Sequence, residues 1–128
     1  YAHHPTEINS VLNGVKKVFR NKKIVCVFQP HRISRVISLK KEFSKCFKKA
    51  DTVLLCPIYT ANEKLRLNFT YHSFAKLIIK NSNVRLIQVE NELQLQKFIK
   101  QNVFGKKIYI GMGAGSISNW MKNLKNIF

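Results

Sequence analysis

Four short runs rich in apolar residues, at positions 24–28, 51–56, 84–89 and 107–110, punctuate the chain. Each is followed by a stretch whose apolar residues recur at helical spacing. Strands separated by helices cannot close as hairpins; they must run parallel and be joined by crossovers. The alternation therefore predicts an α/β domain of three layers, a mostly parallel sheet with helices on both faces. The first helix presents Ile8, Val11, Leu12, Val15 and Phe19, with Pro5 in its first turn, where a missing N–H costs nothing. A second, through Leu39, Phe43 and Phe47, is expected to end near Lys49. Further helices are expected at 71–79 (Phe74, Leu77, Ile78), at 91–101 (Leu93, Leu95, Phe98, Ile99) and after the last strand (Ile117, Trp120, Met121, Leu124, Phe128). No repeat or linker interrupts the pattern, so residues 1–128 are read as one domain. It opens on a helix whose preceding strand is missing and on Tyr1 rather than Met, as expected of a piece of something longer. A strand before Tyr1 would bring His3 and His4 to the same sheet edge as His31, Arg32 and Arg35.

Charge raises a second possibility. The formal net charge is +17, which invites a basic nucleic-acid-binding domain as an alternative. Against it, the lysines fall as doublets (16–17, 22–23, 40–41, 48–49, 106–107) scattered along the chain, mostly at element ends. The aromatics follow core periodicity and form no stacking platform. No specific nucleic acid is expected as a partner. No apolar run approaches the roughly 20 residues of a membrane span, so no membrane partner is expected either. Cys26, Cys46 and Cys56 have neither metal spacing nor an even count, which favours a reducing, cytoplasmic setting.

The chemistry concentrates in Phe28-Gln29-Pro30-His31-Arg32-Ile33-Ser34-Arg35, where a strand ends and a helix begins. Ligands of open parallel sheets bind at that edge, and a helix start offers N–H groups to an anion. Arg32 and Arg35, three apart, can converge on one carboxylate or phosphate; the plain alternative is two solvated arginines. The loop Gly111-Met112-Gly113-Ala114-Gly115-Ser116 has a serine where a dinucleotide fingerprint needs its third glycine, and no P-loop exists anywhere. It is read as a tight strand-to-helix turn. His3 and His4 are adjacent and cannot form a helical zinc pair, and Glu63 with Lys64 is read as an exposed ion pair. Residues alone thus give an α/β domain with a basic ligand edge and no reaction.

Two motifs add a reaction by resemblance. Tyr1-Ala2-His3-His4-Pro5-Thr6-Glu7 and Gln29-Pro30-His31-Arg32-Ile33-Ser34-Arg35 resemble the C-terminal domain of the Mur ligase family. The second motif resembles the L-alanine-adding branch. The likeness continues through Ile58-Tyr59-Thr60-Ala61-Asn62-Glu63 and the glycine loop. It implies a Rossmann-like domain of an ATP- and Mg2+-dependent cytoplasmic ligase that joins L-alanine to UDP-N-acetylmuramate through an acyl phosphate, in peptidoglycan synthesis. A murein-peptide recycling ligase is the neighbouring possibility. By resemblance His31, Arg32 and Arg35 would hold the alanine carboxylate, His3 would lie beside the amino acid, Tyr1 would line both the alanine and the ATP side of the cleft, and His4 would face the ATP side. The partner would be the central ATP-binding domain of the same chain. The family's aspartate before this tyrosine and its P-loop, magnesium ligands and UDP-sugar domain are not in this sequence, and Asn62 replaces its usual glycine. No catalytic residue and no metal ligand are assigned, and the chain alone is expected to be inactive.

Overall fold

A computed structural model of the chain describes residues 3–60, 70–102 and 105–124. The order is α1 (Pro5–Val18), β1 (Lys23–Phe28), α2 (Ile33–Ser38), α3 (Lys40–Lys45), β2 (Thr52–Leu55), α4 (Tyr71–Ser82), β3 (Arg85–Gln88), α5 (Glu92–Gln101), β4 (Lys107–Met112) and α6 (Ile117–Leu124). The strands form one sheet in the order β3-β2-β1-β4, every pairing parallel.

Period-two alternation splits the core into two layers. Ile24, Cys26 and Phe28 of β1, with Val53 and Leu55 of β2, point to one face, where Ile8, Leu12, Phe43, Phe47 and Phe74 cover them. Val25, Val27 and Leu54 point to the other, against Leu95, Ile99, Ile117 and Leu124. Helices α1 to α4 thus share one face, and α5 and α6 the other. The chain steps outward from β1 to β3 and then returns to place β4 on the far side of β1. The topological switch point therefore lies between the ends of β1 and β4.

Tertiary contacts moved several expected boundaries. The helix expected to run to about Lys49 breaks at Leu39, whose φ of −112° and ψ of 22° leave the helical region. The break re-aims the chain so that Phe43 meets Phe74 edge-on at 6.3 Å. Helix α4 runs three residues beyond the expected Ile79, because Asn81 and Ser82 bond to Ser44 and the Phe47 N–H donates to Ser82 Oγ at 3.2 Å. Strand β4 takes in Gly111 and Met112, which pair with Val27 and Phe28. In α1 only Ile8 and Leu12 of the expected apolar face are buried; Val11 is exposed, and Phe19 has left the helix at its C-cap. Leu93 of α5 is likewise exposed.

Parallel strands also sort charge. Every strand starts at one edge of the sheet, and every helix that follows a strand begins near the opposite edge. Helix termini favour acids at their starts and bases at their ends. Accordingly Glu7 and Glu92 occupy first turns, while Lys16, Lys17, Lys80 and Lys100 occupy last turns. Lys22, Lys23, Lys106 and Lys107, scattered along the chain, are thereby gathered at strand starts on the N-terminal edge, whereas Lys45 and Lys48 lie beside Pro5 and Thr6 at the start of α1.

Candidate functional site at the strand ends

At the opposite edge, the loop leaving β1 is held by its neighbours on both sides. Gln29 is buried, and its side chain is fully used. Its Nε2 donates to Ser116 Oγ at 3.0 Å and to the Pro57 carbonyl at 3.3 Å, while its Oε1 accepts from the Ile117 N–H at 3.0 Å. One amide therefore joins the loop after β2 to the start of α6 across the switch point. Gly113, at φ +148°, makes room for it: a Cβ there would stand 2.8 Å from the Gln29 carbonyl oxygen and 2.9 Å from Ile117 Cγ2. Sequence reasoning gave Gln29 no role. A lone glutamine between an apolar strand and a proline was the available signal, since a buried amide must find partners.

Tyr59 is the second residue whose role emerges only here. Its backbone N–H donates to the Pro30 carbonyl at 2.9 Å, and its carbonyl accepts from Arg32 N–H at 2.8 Å. Its ring stacks on His31, centroids 5.3 Å apart and planes within 11°. On Gly115 a Cβ would lie 2.6 Å from the Tyr59 ring, so only glycine lets the last loop pass beneath it. The glycine loop is thus a packing surface for Gln29 and Tyr59, in keeping with the tight turn expected.

The basic residues divide in a way the sequence did not reveal. Arg32 is exposed and sits at φ +66°, a region L side chains rarely adopt, at a cost of about 1–3 kcal/mol. Arg35, on α2, is half-buried, and its Nη1 is buried with no hydrogen-bond partner among the described residues. Together with Ser34 and Ser38 they line an open depression of about 560 Å³. A separate cleft of about 400 Å³, walled by Gln29, Tyr59, Thr60, Glu90, Ser116 and Trp120, lies beside it and excludes both arginines. Helix α2 is only six residues long, too short for its dipole to attract an anion strongly, contrary to the helix-start expectation. The guanidinium groups must supply the charge themselves.

His3 does reach this edge, its ring 6.3 Å from that of His31 and its Nδ1 4.0 Å from Glu7 Oε1. His4 is committed to a cap. Its Nδ1 accepts from the Thr6 N–H at 3.2 Å, while Glu7 reaches back to the His4 N–H at 3.2 Å. Tyr1, Asn62, Glu63 and Lys64 lie outside the described residues. Beneath the edge, burial pushes the Cys56 thiol up to about 12 and raises the Tyr71 hydroxyl well above the phenol range, so both stay protonated. Among the described residues no group of three or more His, Cys, Asp or Glu could hold a metal ion.

The family profile described as Mur ligase, glutamate ligase domain matches residues 1–114. The chain belongs to the Mur ligase family. The UDP-N-acetylmuramate–L-alanine ligase of Pelagibacter ubique is 63% identical over 99% of the chain and 27% of its own length. The ligase of the same name from Caulobacter vibrioides is 35% identical over 94% of the chain and 25% of its length. Among solved structures, a UDP-N-acetylmuramate–alanine ligase from Thermotoga maritima aligns at a TM-score of 0.72 with 29% identity, covering 99% of the chain and 25% of that protein. A murein peptide ligase from Psychrobacter arcticus aligns at 0.74 over 98% of the chain and 26% of that protein, but at 16% identity shares only the fold. This Mur ligase domain spans about a quarter of the length of the relatives it matches. Its parallel sheet agrees with the fold expected from strand–helix alternation.

Proposed function

We propose that this chain is the amino-acid-binding domain of an ATP-dependent ligase that joins L-alanine to UDP-N-acetylmuramate, the ATP and UDP-sugar domains belonging to the remainder of such a protein. The observation that carries the reading is the buried Arg35 Nη1, without a partner among the described residues, beside Arg32 on a strained backbone at the C-terminal edge of the sheet. A buried guanidinium N–H left unpaired is costly, and a carboxylate satisfies it. Arg35 would grip one carboxylate oxygen from within the fold and Arg32 would close from solvent, with His31 held in place by its stack on Tyr59. Bound this way, the amino acid turns its amine outward. The lone pair of the neutral amine can attack the acyl carbon of a muramoyl phosphate; the C–O bond to phosphate breaks, and the nitrogen gives up a proton that leaves with the inorganic phosphate. His3 would neighbour the amine, and Tyr1 and His4 would face the nucleotide.

The chain has no G-x-x-x-x-G-K-[ST] sequence and no described metal-holding cluster, so its residues do not fit a magnesium triphosphate. The test is steady-state kinetics of a full-length ligase carrying this domain, with L-alanine and ATP varied separately. Arg35→Ala should raise the KM for L-alanine and leave that for ATP nearly unchanged. Wild-type L-alanine kinetics in that variant would remove Arg35 from the site.

A further inference from the structure

The edge of the sheet opposite the arginine depression carries a feature this function leaves unused. Where α1 ends and β1 begins, the chain reads Lys16-Lys17-Val18-Phe19-Arg20-Asn21-Lys22-Lys23. Val18 is 72% exposed and Phe19 40%, although both are apolar. Lys17, Arg20, Lys22 and Lys23 around them are exposed too, with Lys22 Nζ 5.2 Å above the Phe19 ring. The sheet extends the positive surface sideways. Lys23 is the register partner of Lys107, and Lys23, Lys107 and Arg85 line one recess. The acid in that recess, Asp51, already accepts a hydrogen bond from the Ile24 N–H at 2.8 Å through Oδ2.

We propose that this edge docks on the surface of an anionic lipid bilayer, Val18 and Phe19 entering the headgroup layer and the surrounding lysines and Arg20 pairing with lipid phosphates. Exposed apolar side chains ringed by cations are the pattern of an interfacial anchor. Nucleic acid would have use for the lysines but not for Val18, which has no face to stack on a base. A second copy of this chain is opposed by the net charge of +17. Since the docking edge and the Arg32–Arg35 depression are at opposite ends of the strands, a docked domain keeps its ligand edge open to solvent. The sequence-based expectation of no membrane partner concerned a spanning segment, and none of the described helices is long and apolar enough to cross a bilayer. Surface docking needs no span.

The test is co-sedimentation of the full chain with vesicles of phosphatidylglycerol and phosphatidylcholine, against vesicles of phosphatidylcholine alone, at about 0.15 M salt. Binding is expected to the first and not to the second. Lys17→Ala and Lys22→Ala should each weaken it about fivefold, the loss of one charge near an anionic surface. Val18→Ser, at a position too exposed to matter to the core, should keep the melting temperature and abolish binding at this salt while sparing it at low salt. The proposal is overturned by no binding to the anionic vesicles, by a Val18→Ser variant that binds like wild type, or by duplex DNA displacing the vesicles.

Discussion

The two edges of one sheet are built on opposite plans. At the C-terminal edge the decisive groups are individually confined: Gln29 is buried and bonded to three partners, Gly113 is held in one conformation, and Arg35 Nη1 is buried with no hydrogen-bond partner among the described residues. At the N-terminal edge the polar groups are many, exposed and interchangeable, lysine beside lysine. A buried polar group that loses its partner incurs its full desolvation cost, whereas an exposed charge is rescreened by water and salt. Single substitutions should therefore be sharp at the first edge and blunt at the second. That contrast can be broken experimentally.

The largest effect should come from Arg35. A hydrogen bond to a charged partner contributes about 1.5–3 kcal/mol, so Arg35→Ala should weaken L-alanine use roughly ten- to a hundredfold in the full-length ligase. Arg35→Lys, a point charge in place of a planar fork, should recover part of the loss. Both are read from KM for L-alanine with ATP saturating.

Gly113→Ala comes next. The new Cβ meets the Gln29 carbonyl at 2.8 Å on a backbone at φ +148°, and strain plus overpacking should cost about 3 kcal/mol in urea denaturation. A midpoint equal to wild type would mean that the loop is not clamped as described. Gln29→Leu, close in volume but without the amide, should cost about 2 kcal/mol by stranding the Ile117 N–H and the Pro57 carbonyl. It should also raise KM for L-alanine, because the loop that presents His31 and Arg32 is then untied.

Between the edges, the core should register pH. Burial raises the thiols of Cys26 and Cys46 and pushes that of Cys56 up to about 12. In the unfolded chain such thiols ionise near 9.0. The folded state, holding the proton longer, keeps this part of its stability below about pH 9 and loses it as pH climbs from there through about 12. Denaturation midpoints should fall on the alkaline side, and a Cys56→Ala variant should fall less steeply.

The smallest effect should be a gain. Gly14 lies mid-helix in α1 with nothing within 4 Å of where a Cβ would stand, so Gly14→Ala should add about 0.5–1 kcal/mol. The opposite signs at Gly113 and Gly14 would isolate tertiary confinement as the difference.

Strand–helix alternation, the two faces of β1 and the placement of His31 and Arg32 at the C-terminal edge of the sheet were all legible in the sequence, because period and strand direction are local properties that the chain repeats. Apolar spacing in α1 was legible but partly misleading: the sequence marks Val11 and Phe19 as apolar, and only the packed sheet decides that Ile8, Leu12 and, in part, Val15 make the contact. The break at Leu39 and the extension of α4 to Ser82 came from Phe43 and Ser44 finding partners more than thirty residues away in the chain. Gln29 depends on contacts of the same kind, since an amide's partners 28 and 88 positions off leave no mark on its neighbours. The charge pattern shows the same division. The doublets 22–23 and 106–107 were visible as residues, but only the parallel pairing of β1 with β4, which sets Lys23 against Lys107, turned them into one surface.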